Sequence, residues 1–458
     1  MCRVVAVFLA LCALVVPAWA AAPKPEAIVV VLGDLHSAYD RTAQFVARVE
    51  RIKTENPGVP LAVLIDGDSF EYGNVVARRT EGAVDFAMFT ALVRLAPTVI
   101  NLGNHEPEFY DPAETVKRLE ATGLKVVGNL RDRATGKLYA PASLRLKLGT
   151  HEATIAGLTT DWLNTYRLAI RPQLDLADPV VWARENLPAL FRDAALPIVL
   201  SHAGLRADRD ILPLVPPGTL FAGAHDHLRF IHRETAPADK PRTVYFHSGS
   251  WMDYVSIARL QRTGRGLEWD VMQEPLLPRH ATDPALAALV RETLAKHLTP
   301  EETSIVARAP QAFSPADAAR FAVDAARRAA LADVALIGGT TFGAGLPAGD
   351  ISRFAFDACV RFDGPLHATE VEGAHLLRIL ARCNQTPDTP LADRNGENLI
   401  AVAAPGIRIA PGRTYRFVTT DWVSKNAEKY LGENPPALAE VSGVKLKAAV
   451  LAALEPAK

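Results

Sequence analysis

Short apolar runs alternate with helical stretches from Ala27 to about Met272. The runs are rich in β-branched residues and are bounded by Gly, Pro or Asp, as buried strands are. Between the first two runs, residues 39–53 place apolar side chains at helical spacing. The predicted strands are Ile28–Leu32, Leu61–Ile65, Thr98–Ile100, Ala153–Ala156, Ile198–Leu200 and Thr219–Ala222. This alternation of strand and helix predicts a layered α/β domain.

The pattern changes at residues 274–278, where two prolines flank a short apolar segment. Residues 283–298 then have helical spacing, and the rest of the chain carries elements of its own. These are strands at Val334–Ile337 and Tyr415–Thr419 and helices at Pro315–Leu331 and Gly373–Ala381. We therefore expect a first domain over residues 25–275 and a second α/β domain over residues 283–455.

The start of the chain has the pattern of an export signal. Arg3 precedes an unbroken apolar run over residues 4–16, and Ala18-Trp19-Ala20 offers an Ala-x-Ala cleavage site. The run is short for a membrane span, and no comparable stretch recurs past Ala22. We expect a signal peptide over residues 1–20 and a periplasmic or secreted protein without a stable membrane anchor.

Composition narrows the class of protein. The chain has 458 residues, 50 Lys and Arg against 51 Asp and Glu, and a net charge of −1. This balance argues against a nucleic-acid polymer as the partner. With 4 Cys, the chain is neither a disulfide scaffold nor a Cys-rich zinc module. After export only Cys359 and Cys383 remain, and the sequence leaves open whether they form a disulfide.

Five of the predicted strands are followed by Asp, Asn or His. In open α/β sheets, ligands bind at the carboxyl ends of the strands, so we expect these side chains to meet there. The segments are Gly33-Asp34-Leu35-His36, Asp66-Gly67-Asp68, Gly103-Asn104-His105-Glu106, Ser201-His202 and Gly223-Ala224-His225-Asp226-His227.

These donor groups point to metal. Carboxylate oxygen, amide oxygen and imidazole nitrogen suit Mn²⁺, Zn²⁺ or Fe²⁺. Seven such groups exceed the needs of one tetrahedral site. They match two divalent ions about 3.5–4 Å apart that share a bridging carboxylate. A Walker A loop and a Gly-x-Ser-x-Gly elbow are both missing from the sequence.

The order of these motifs resembles that of the calcineurin-like metallophosphoesterases. With the signal peptide and the second α/β domain, the chain resembles the secreted 5′-nucleotidase family over about residues 25–455. The resemblance implies an N-terminal layered metallophosphoesterase sandwich and a second, substrate-binding α/β domain. It implies two metal ions that share Asp68 as the bridge. Position by position, the first ion takes Asp34, His36, Asp68 and His227, and the second takes Asp68, Asn104, His202 and His225.

The resemblance also assigns catalytic and substrate-binding residues. His105 matches the catalytic histidine of the family, which pairs with an Asp three residues further on. Here that position is Glu108, and either Glu108 takes the role or a small insertion lets Asp111 serve. Trp422 matches an aromatic residue that can stack on a nucleobase, or it is a packing aromatic.

Other positions depart from the family pattern. The arginine that the family places in the second domain is missing from residues 338–343. The aromatic residue expected to face Trp422 is replaced by Gly406-Ile407, and Ala224 stands where the family has Gly before the last His-x-His. The chemistry of the family therefore looks kept, while its specificity pocket looks altered.

The resemblance implies an exported dimetal phosphoesterase that hydrolyses nucleotides, with a role in nucleotide catabolism. It would be of 5′-nucleotidase or 2′,3′-cyclic nucleotide phosphodiesterase type and would act by attack of a metal-activated hydroxide on phosphorus. One alternative is a hydrolase of the same superfamily with another phosphoester or a thiosulfohydrolase-like sulfur ester as substrate. The other is a non-catalytic, metal-dependent binding protein. The identity of the metals, the leaving group and the oligomeric state stay open.

Overall fold

The computed structural model describes residues 24–394 and 397–455. The signal peptide predicted over residues 1–20 lies outside them. The fold is mixed α/β with two domains, which confirms the predicted fold class. Over the described ranges, every helix is too short or too polar to cross a lipid bilayer.

The first domain is built on two six-stranded sheets. Its strands are β1 (Ala27–Gly33), β2 (Leu61–Asp66), β3 (Thr98–Asn101), β4 (Lys125–Val127), β5 (Arg131–Asp132), β6 (Ser143–Leu148), β7 (His151–Thr159), β8 (Leu174–Asp175), β9 (Leu196–His202), β10 (Leu220–Gly223), β11 (Arg229–Arg233), β12 (Val244–Ser248), β13 (Tyr254–Thr263) and β14 (Gly266–Pro275). One sheet has the order β14-β13-β1-β2-β3-β4, the other has the order β11-β12-β10-β9-β7-β6, and β5 and β8 form a separate two-stranded ribbon. Strands β1 to β4 run parallel, as do β7, β9, β10 and β12.

The two sheets pack face to face, and helices cover their outer faces. Along β1, Val29 and Val31 belong to the core between the sheets, whereas Ile28, Val30 and Leu32 pack under the outer helices. Successive side chains of a strand point to opposite faces, so a strand that is buried on both faces is apolar throughout. This explains why the strands of the sequence appear as continuous apolar runs.

The helices of this region are α1 (Thr42–Glu55), α2 (Val75–Thr80), α3 (Ala83–Leu95), α4 (Pro112–Ala121), α5 (Pro179–Leu190), α6 (Leu205–Ile211) and α7 (Pro284–His297). Helix α7 connects the two domains and packs on the first one. Leu286 of α7 joins the core beneath α1 and α3, and the backbone N–H of Asp283 donates to the carbonyl of Ala43 at 2.9 Å.

The second domain has a five-stranded sheet and a two-stranded ribbon. Its strands are β15 (Ile305–Ala309), β16 (Val334–Gly338), β17 (Gly349–Ser352), β18 (Pro365–Glu372), β19 (Leu399–Ala403), β20 (Thr414–Thr420) and β21 (Ala439–Lys445). Its helices are α8 (Pro300–Thr303), α9 (Pro315–Ala329), α10 (Arg353–Cys359), α11 (Gly373–Leu380), α12 (Asp421–Lys425), α13 (Ala427–Leu431) and α14 (Leu446–Ala453). The sheet order is β19-β16-β20-β18-β21, with α9 and α14 on one face. The thiols of Cys359 and Cys383 are both free.

The second domain faces the edge of the sandwich at which the parallel strands end. The side-chain amide of Asn398 donates to the backbone carbonyl of Asp226, which lies just after β10, at 3.2 Å. The rings of Trp162, after β7, and Trp422, in α12, lie 5.7 Å apart between centroids. Both contacts join loops at the carboxyl ends of first-domain strands to the second domain, which places any site at that edge between the domains.

Candidate metal centre

The structure brings the predicted ligands together at the carboxyl ends of five strands. Strands β1, β2 and β3 supply them from one sheet, and β9 and β10 supply them from the other. They form two groups whose donor atoms all lie within 4.8 Å of one another: Asp34, His36 and His227 in one, and Asp68, His202 and His225 in the other. Such a pair of clusters can form two adjacent cation sites.

In the first group, two imidazole nitrogens face each other. Nε2 of His36 lies 2.9 Å from Nε2 of His227. These two nitrogens lie 3.9 and 3.8 Å from Oδ1 of Asp34. Three donor atoms thus aim at one small volume, as ligands of a common ion do.

The second group is equally close and adjoins the first. Nε2 of His202 lies 3.0 Å from Oδ2 of Asp68, and Nδ1 of His225 lies 2.9 Å from Oδ1 of Asn104. The same His202 nitrogen is 3.8 Å from Oδ1 of Asp34, a member of the first group. The structure therefore also places Asn104 beside the second group.

The loops that carry these residues are joined through their backbones. The N–H groups of Asp34 and His36 donate to the carbonyls of Gly67 and Asp68 at 3.0 and 2.9 Å. These bonds continue the parallel pairing of β1 with β2 past the ends of the strands. Asp34, His36 and Asp68 are thereby held in register.

Glu106 fixes the next pair of loops, and the sequence analysis gave it no role. Its carboxylate accepts from the backbone N–H groups of Asp68, Ser69 and Gly103 at 2.9, 2.8 and 2.6 Å. Charge-assisted bonds of this kind are about twice as strong as neutral ones. The sequence motif Gly-Asn-His-Glu contains Glu106. Its role could not be predicted, because the three N–H groups that donate to it come together only in the folded chain.

Five of the seven candidate ligands have a left-handed backbone. Such conformations are uncommon for residues with a side chain and cost of order 1–3 kcal/mol each. They persist where the surroundings hold them, and they cluster at functional sites. The φ angles are 52° at Asp34, 49° at His36, 54° at Asp68, 81° at His225 and 58° at His227.

Small residues let the loops approach closely. Gly67 has a φ of +73°, and a Cβ at this position would lie 2.6 Å from Nδ1 of His202. A Cβ on Gly33 would lie 2.7 Å from the Cβ of Ala224. Ala224, the departure from the family pattern, therefore fits because residue 33 has no side chain.

The protonation of His36 and His227 suits a cation. Burial lowers the pKa of His36 to about 4 and holds that of His227 well below its usual value. Both imidazoles are therefore neutral at neutral pH, and neutral imidazole is the form that binds metal. Burial, with the Asp68 carboxylate nearby, raises the pKa of Asp34 well above its usual value. Burial opposes a charged His202, but the same two carboxyls raise its pKa well above its usual value. Buried carboxylates favour positive charge between them, and divalent ions would supply it when bound.

His105 lies beside the cluster and contacts Glu108. Its Nδ1 is 2.9 Å from Oε1 of Glu108, which is only 5% exposed. Asp111, the other predicted partner, instead caps α4 by accepting from the N–H of Glu114 at 2.9 Å. Burial opposes the charged imidazole, but Asp68 and Glu108 raise the pKa of His105 to about 10. In the metal-free chain, His105 therefore holds a proton at neutral pH.

Two family models match the sequence. Residues 28–229 match the calcineurin-like phosphoesterase model, and residues 295–433 match the 5′-nucleotidase C-terminal domain. This chain belongs to the calcineurin-like phosphoesterases with a 5′-nucleotidase C-terminal domain. The match confirms the resemblance. The chain is a metal-dependent hydrolase of phosphoester bonds that uses a centre of two divalent ions, and the two clusters could hold these ions.

Solved structures agree on the fold. A 5′-nucleotidase precursor from Thermus thermophilus is 17% identical, with 94% of this chain and 96% of that one covered and a TM-score of 0.61. The sulfate thiohydrolase SoxB of Thermus thermophilus, in complex with glycerol, is 13% identical over 96% of both chains, with a TM-score of 0.65. A 5′-nucleotidase from Candida albicans SC5314 is 12% identical over 94% and 98%, with a TM-score of 0.58. No curated protein sequence matches the chain significantly.

The phosphoesterase domain adds a buried carboxylate that the sequence analysis missed. Oε2 of Glu71 lies 3.4 Å from Nδ1 of His36, and Oε1 accepts from the N–H of Gly73 at 2.8 Å. Burial alone raises the pKa of the Glu71 carboxyl, but Arg361 and His36 hold it well below its usual range. Glu71 therefore keeps a negative charge next to a candidate metal ligand.

The 5′-nucleotidase C-terminal domain places an arginine near the centre from an unexpected position. Arg361 follows α10 and pairs through Nη2 with Oε2 of Glu71. Its Nη1 donates to the carbonyl of Thr340 at 3.0 Å. Thr340 lies in the segment from which the family arginine is missing, so a guanidinium reaches this region from 21 residues further along the chain.

Trp422 lies at the boundary between the phosphoesterase domain and the second domain. Its side chain is 42% exposed, and its indole N–H donates to the hydroxyl of Tyr430 at 2.9 Å. Trp162 contacts it from the first domain, and Nζ of Lys429 lies 3.4 Å from the centroid of the Trp162 ring. The carbonyl of Thr165 accepts from the amide of Asn104 at 3.3 Å and ties the Trp162 loop to the centre.

Proposed function

We propose that the chain is an exported hydrolase of nucleotides, of 5′-nucleotidase or 2′,3′-cyclic nucleotide phosphodiesterase type. The proposal rests on the convergence of two donor clusters with His105 beside them. An exposed tryptophan at the same boundary supplies a surface for a nucleobase. We place the phosphoesterase domain at residues 25–275 and the substrate-binding domain at residues 283–455.

We assign the candidate ligands to two ions that share Asp68. Asp34, His36, Asp68 and His227 would hold the first ion, and Asp68, Asn104, His202 and His225 would hold the second. When bound, the ions supply positive charge to the phosphoryl oxygens and make water acidic enough to react near neutral pH. Their identity, Mn²⁺, Zn²⁺ or a similar ion, is left to metal analysis.

His105 serves as the general acid in this proposal. Its Nδ1 side faces Glu108, so the proton on Nε2 is available to the leaving oxygen. Nε2 lies 3.9 Å from Oδ2 of Asp68, on the side of the two clusters. A new P–O bond forms from water, which gives up one proton to solvent, as the bond to the leaving oxygen breaks. That oxygen takes the Nε2 proton, and His105 regains a proton from solvent before the next turnover. Glu108 holds the ring and stabilises its positive charge.

Trp422 is the proposed contact for the base of the substrate. A base that stacks on an aromatic side chain gains about 1–3 kcal/mol, whichever base it is. Trp422 is held by its hydrogen bond to Tyr430 and by its contact with Trp162. This arrangement favours a flat leaving group without selecting one nucleotide.

A second candidate is a hydrolase of sulfur esters within the same superfamily. In this structure Trp422 contacts Trp162. Residues 406–407 are Gly and Ile, so they provide no second ring that could enclose a base together with Trp422. The similarity of the fold to a sulfate thiohydrolase, at a TM-score of 0.65, supports this second candidate. Its substrate would be an S-sulfonated thiol rather than a nucleotide.

A substrate panel with metal analysis on the same preparation tests these proposals. We expect two ions per chain and release of phosphate from nucleoside monophosphates or hydrolysis of 2′,3′-cyclic nucleotides. Turnover of S-sulfocysteine alone would favour the second candidate. Two retained ions with no turnover of any ester would instead indicate a metal-dependent binding protein and end both enzymatic proposals.

Export is tested separately. We expect the mature protein in the periplasmic or culture fraction, with an N-terminus at residue 21. A chain that keeps residues 1–20 and stays in the cytoplasmic fraction would contradict export but leave the enzymatic proposal standing.

A further inference from the structure

We infer that Glu71 and Arg361 form a positioning pair that ties the orientation of the metal ligand His36 to the placement of the second domain. The inference rests on the proposed assignment of His36 as a ligand. It does not depend on which ester is the substrate.

The two nitrogens of His36 have different surroundings. Nε2 faces Nε2 of His227 at 2.9 Å, inside the first donor cluster. Nδ1 faces Oε2 of Glu71 at 3.4 Å. A carboxylate beside one ring nitrogen of a ligating histidine keeps the proton on that nitrogen and leaves the other lone pair for the ion. Glu71 therefore selects the tautomer that the cluster needs.

Glu71 depends on Arg361 to hold its carboxylate in position. Both side chains are buried, with exposures of 7% and 6%. Removal of one partner from a buried ion pair leaves an uncompensated charge, which is strongly destabilising. Without the guanidinium, the buried carboxylate would lose its partner in the second domain and would turn away from His36. The ring would then lose the group that orients it.

Arg361 belongs to the second domain by its position and its contacts. It lies between α10 and β18, and its Nη1 donates to the carbonyl of Thr340 in the same domain at 3.0 Å. A second route leads from Arg361 to His36 through Trp251. The guanidinium lies 5.2 Å from the Trp251 ring centroid, and the His36 ring stacks on the same indole at 5.4 Å.

The surroundings of the pair leave it room to move. Glu71, Trp251 and Arg361 line a cavity of about 640 Å³ between the domains. Side chains at the edge of such a cavity are not fixed by close packing on every side. A shift of the second domain would therefore move Arg361, and through Glu71 it would reach His36. By reciprocity, metal binding at His36 favours the domain placement that keeps the pair intact.

Binding of Mn²⁺ to the metal-free full-length chain tests the inference. We expect Arg361→Met and Glu71→Gln each to weaken one of the two Mn²⁺ ions about 10-fold or more, as loss of an outer partner of a ligand does. We expect the double variant to bind no more weakly than either single variant, because the two residues act as a unit. Arg361→Lys should restore part of the affinity, and the absorption bands of the Co²⁺-loaded protein should shift in Arg361→Met.

Arg79→Met is the matched control. Arg79 forms another ion pair between the domains, with Glu302 at 2.6 and 2.7 Å, and neither residue contacts a candidate ligand. We expect this variant to bind Mn²⁺ as the unaltered chain does. If Arg79→Met weakened Mn²⁺ binding equally, the loss would be a general effect of domain opening. That result would overturn the proposed role of Glu71 and Arg361.

Two further outcomes are distinguishable. Unchanged Mn²⁺ affinity and Co²⁺ spectra in both Glu71→Gln and Arg361→Met would overturn the inference while leaving the metal centre intact. An unaltered chain that binds fewer than two Mn²⁺ ions would instead contradict the proposed centre itself. If Arg361→Met does not fold, Glu71→Gln decides alone, because it keeps the shape of the side chain.

Discussion

Nδ1 of His105 lies 2.9 Å from the carboxylate of Glu108, three residues further along the chain. The contact follows from the short 3₁₀ turn at Glu106–Glu108, because residues three apart lie on one side of such a turn. A glutamate thus occupies the position where the family has an aspartate. The proton on His105 depends on this neighbour and on Asp68.

Glu108→Gln should lower the pKa of His105 from its value of about 10. In the metal-free chain this raised pKa contributes stability that is complete below the unfolded value of 6.5 and is lost as the pH rises through about 10. The variant should lose that contribution at lower pH. Urea unfolding and NMR titration of the His105 ring, between pH 6 and 10, measure both effects. Identical titrations in the two proteins would rule out Glu108 as the partner.

His105→Gln should separate acid catalysis from metal binding. We expect kcat for a phosphoester with an alkoxide leaving group to fall about 10²–10⁴-fold, the usual contribution of a general acid. A p-nitrophenyl ester should lose less, because its leaving group departs without a proton. Metal content should stay at two ions. Equal losses on both esters would argue against proton donation by this residue.

Asp68→Ala should remove the carboxylate that we propose the two ions share. We expect loss of bound metal and a fall in turnover of about 10²–10³-fold or more, the scale on which lost transition-state electrostatics act. Asp111→Ala is the control, because Asp111 only caps α4. Loss of a cap costs about 1 kcal/mol of stability and should leave turnover unchanged. Wild-type turnover with normal metal content in Asp68→Ala would refute the dinuclear centre.

Gly67→Ala should damage the centre through the backbone. The new Cβ would lie 2.6 Å from Nδ1 of His202, in a residue with a φ of +73°. Gly136→Ala is the matched control, because Gly136 has a φ of +68° and a methyl group added there would meet nothing within 4 Å. Both variants bear the cost of a left-handed alanine, about 1–2 kcal/mol. Only Gly67→Ala should also lose metal, as thermal unfolding and metal analysis will show.

Trp422→Ala should change substrate affinity and leave the chemistry alone. If a base stacks on this ring, KM for a nucleoside monophosphate should rise about 10-fold, which corresponds to about 1.4 kcal/mol within the range for such stacks. KM for glycerol phosphate, which has no ring, should be unchanged. A parallel rise for both esters would assign Trp422 to packing between the domains.

The sequence sufficed for the parts of the site that are local. Each ligand segment lies at the end of a largely apolar strand, so Asp34, Asp68 and Asn104 could be placed at one edge of a sheet before the fold was known. Strand limits were less certain. The strand predicted at Ala153–Ala156 extends over His151–Thr159, because its outer residues pair with β6 and β9 although some are polar.

The rest of the site depends on contacts between distant parts of the chain. Glu71 and Arg361 are 290 residues apart in sequence, and neither stands in a recognisable motif. The loop after β7 that carries Trp162 has no local mark of its meeting with Trp422 in the second domain. Such partners emerge only when the two domains come together, since no short pattern records a pairing across an interface.

All seven candidate ligands lie between Asp34 and His227, whereas Trp422 and Arg361 belong to the second half of the chain. Under the proposed function, bond cleavage and substrate recognition would therefore lie in separate segments of the chain. Directed evolution aimed at a new ester could randomise the α12 region and spare every ligand. A library that also covered the loop after α10 would risk weakening the metal centre through Arg361.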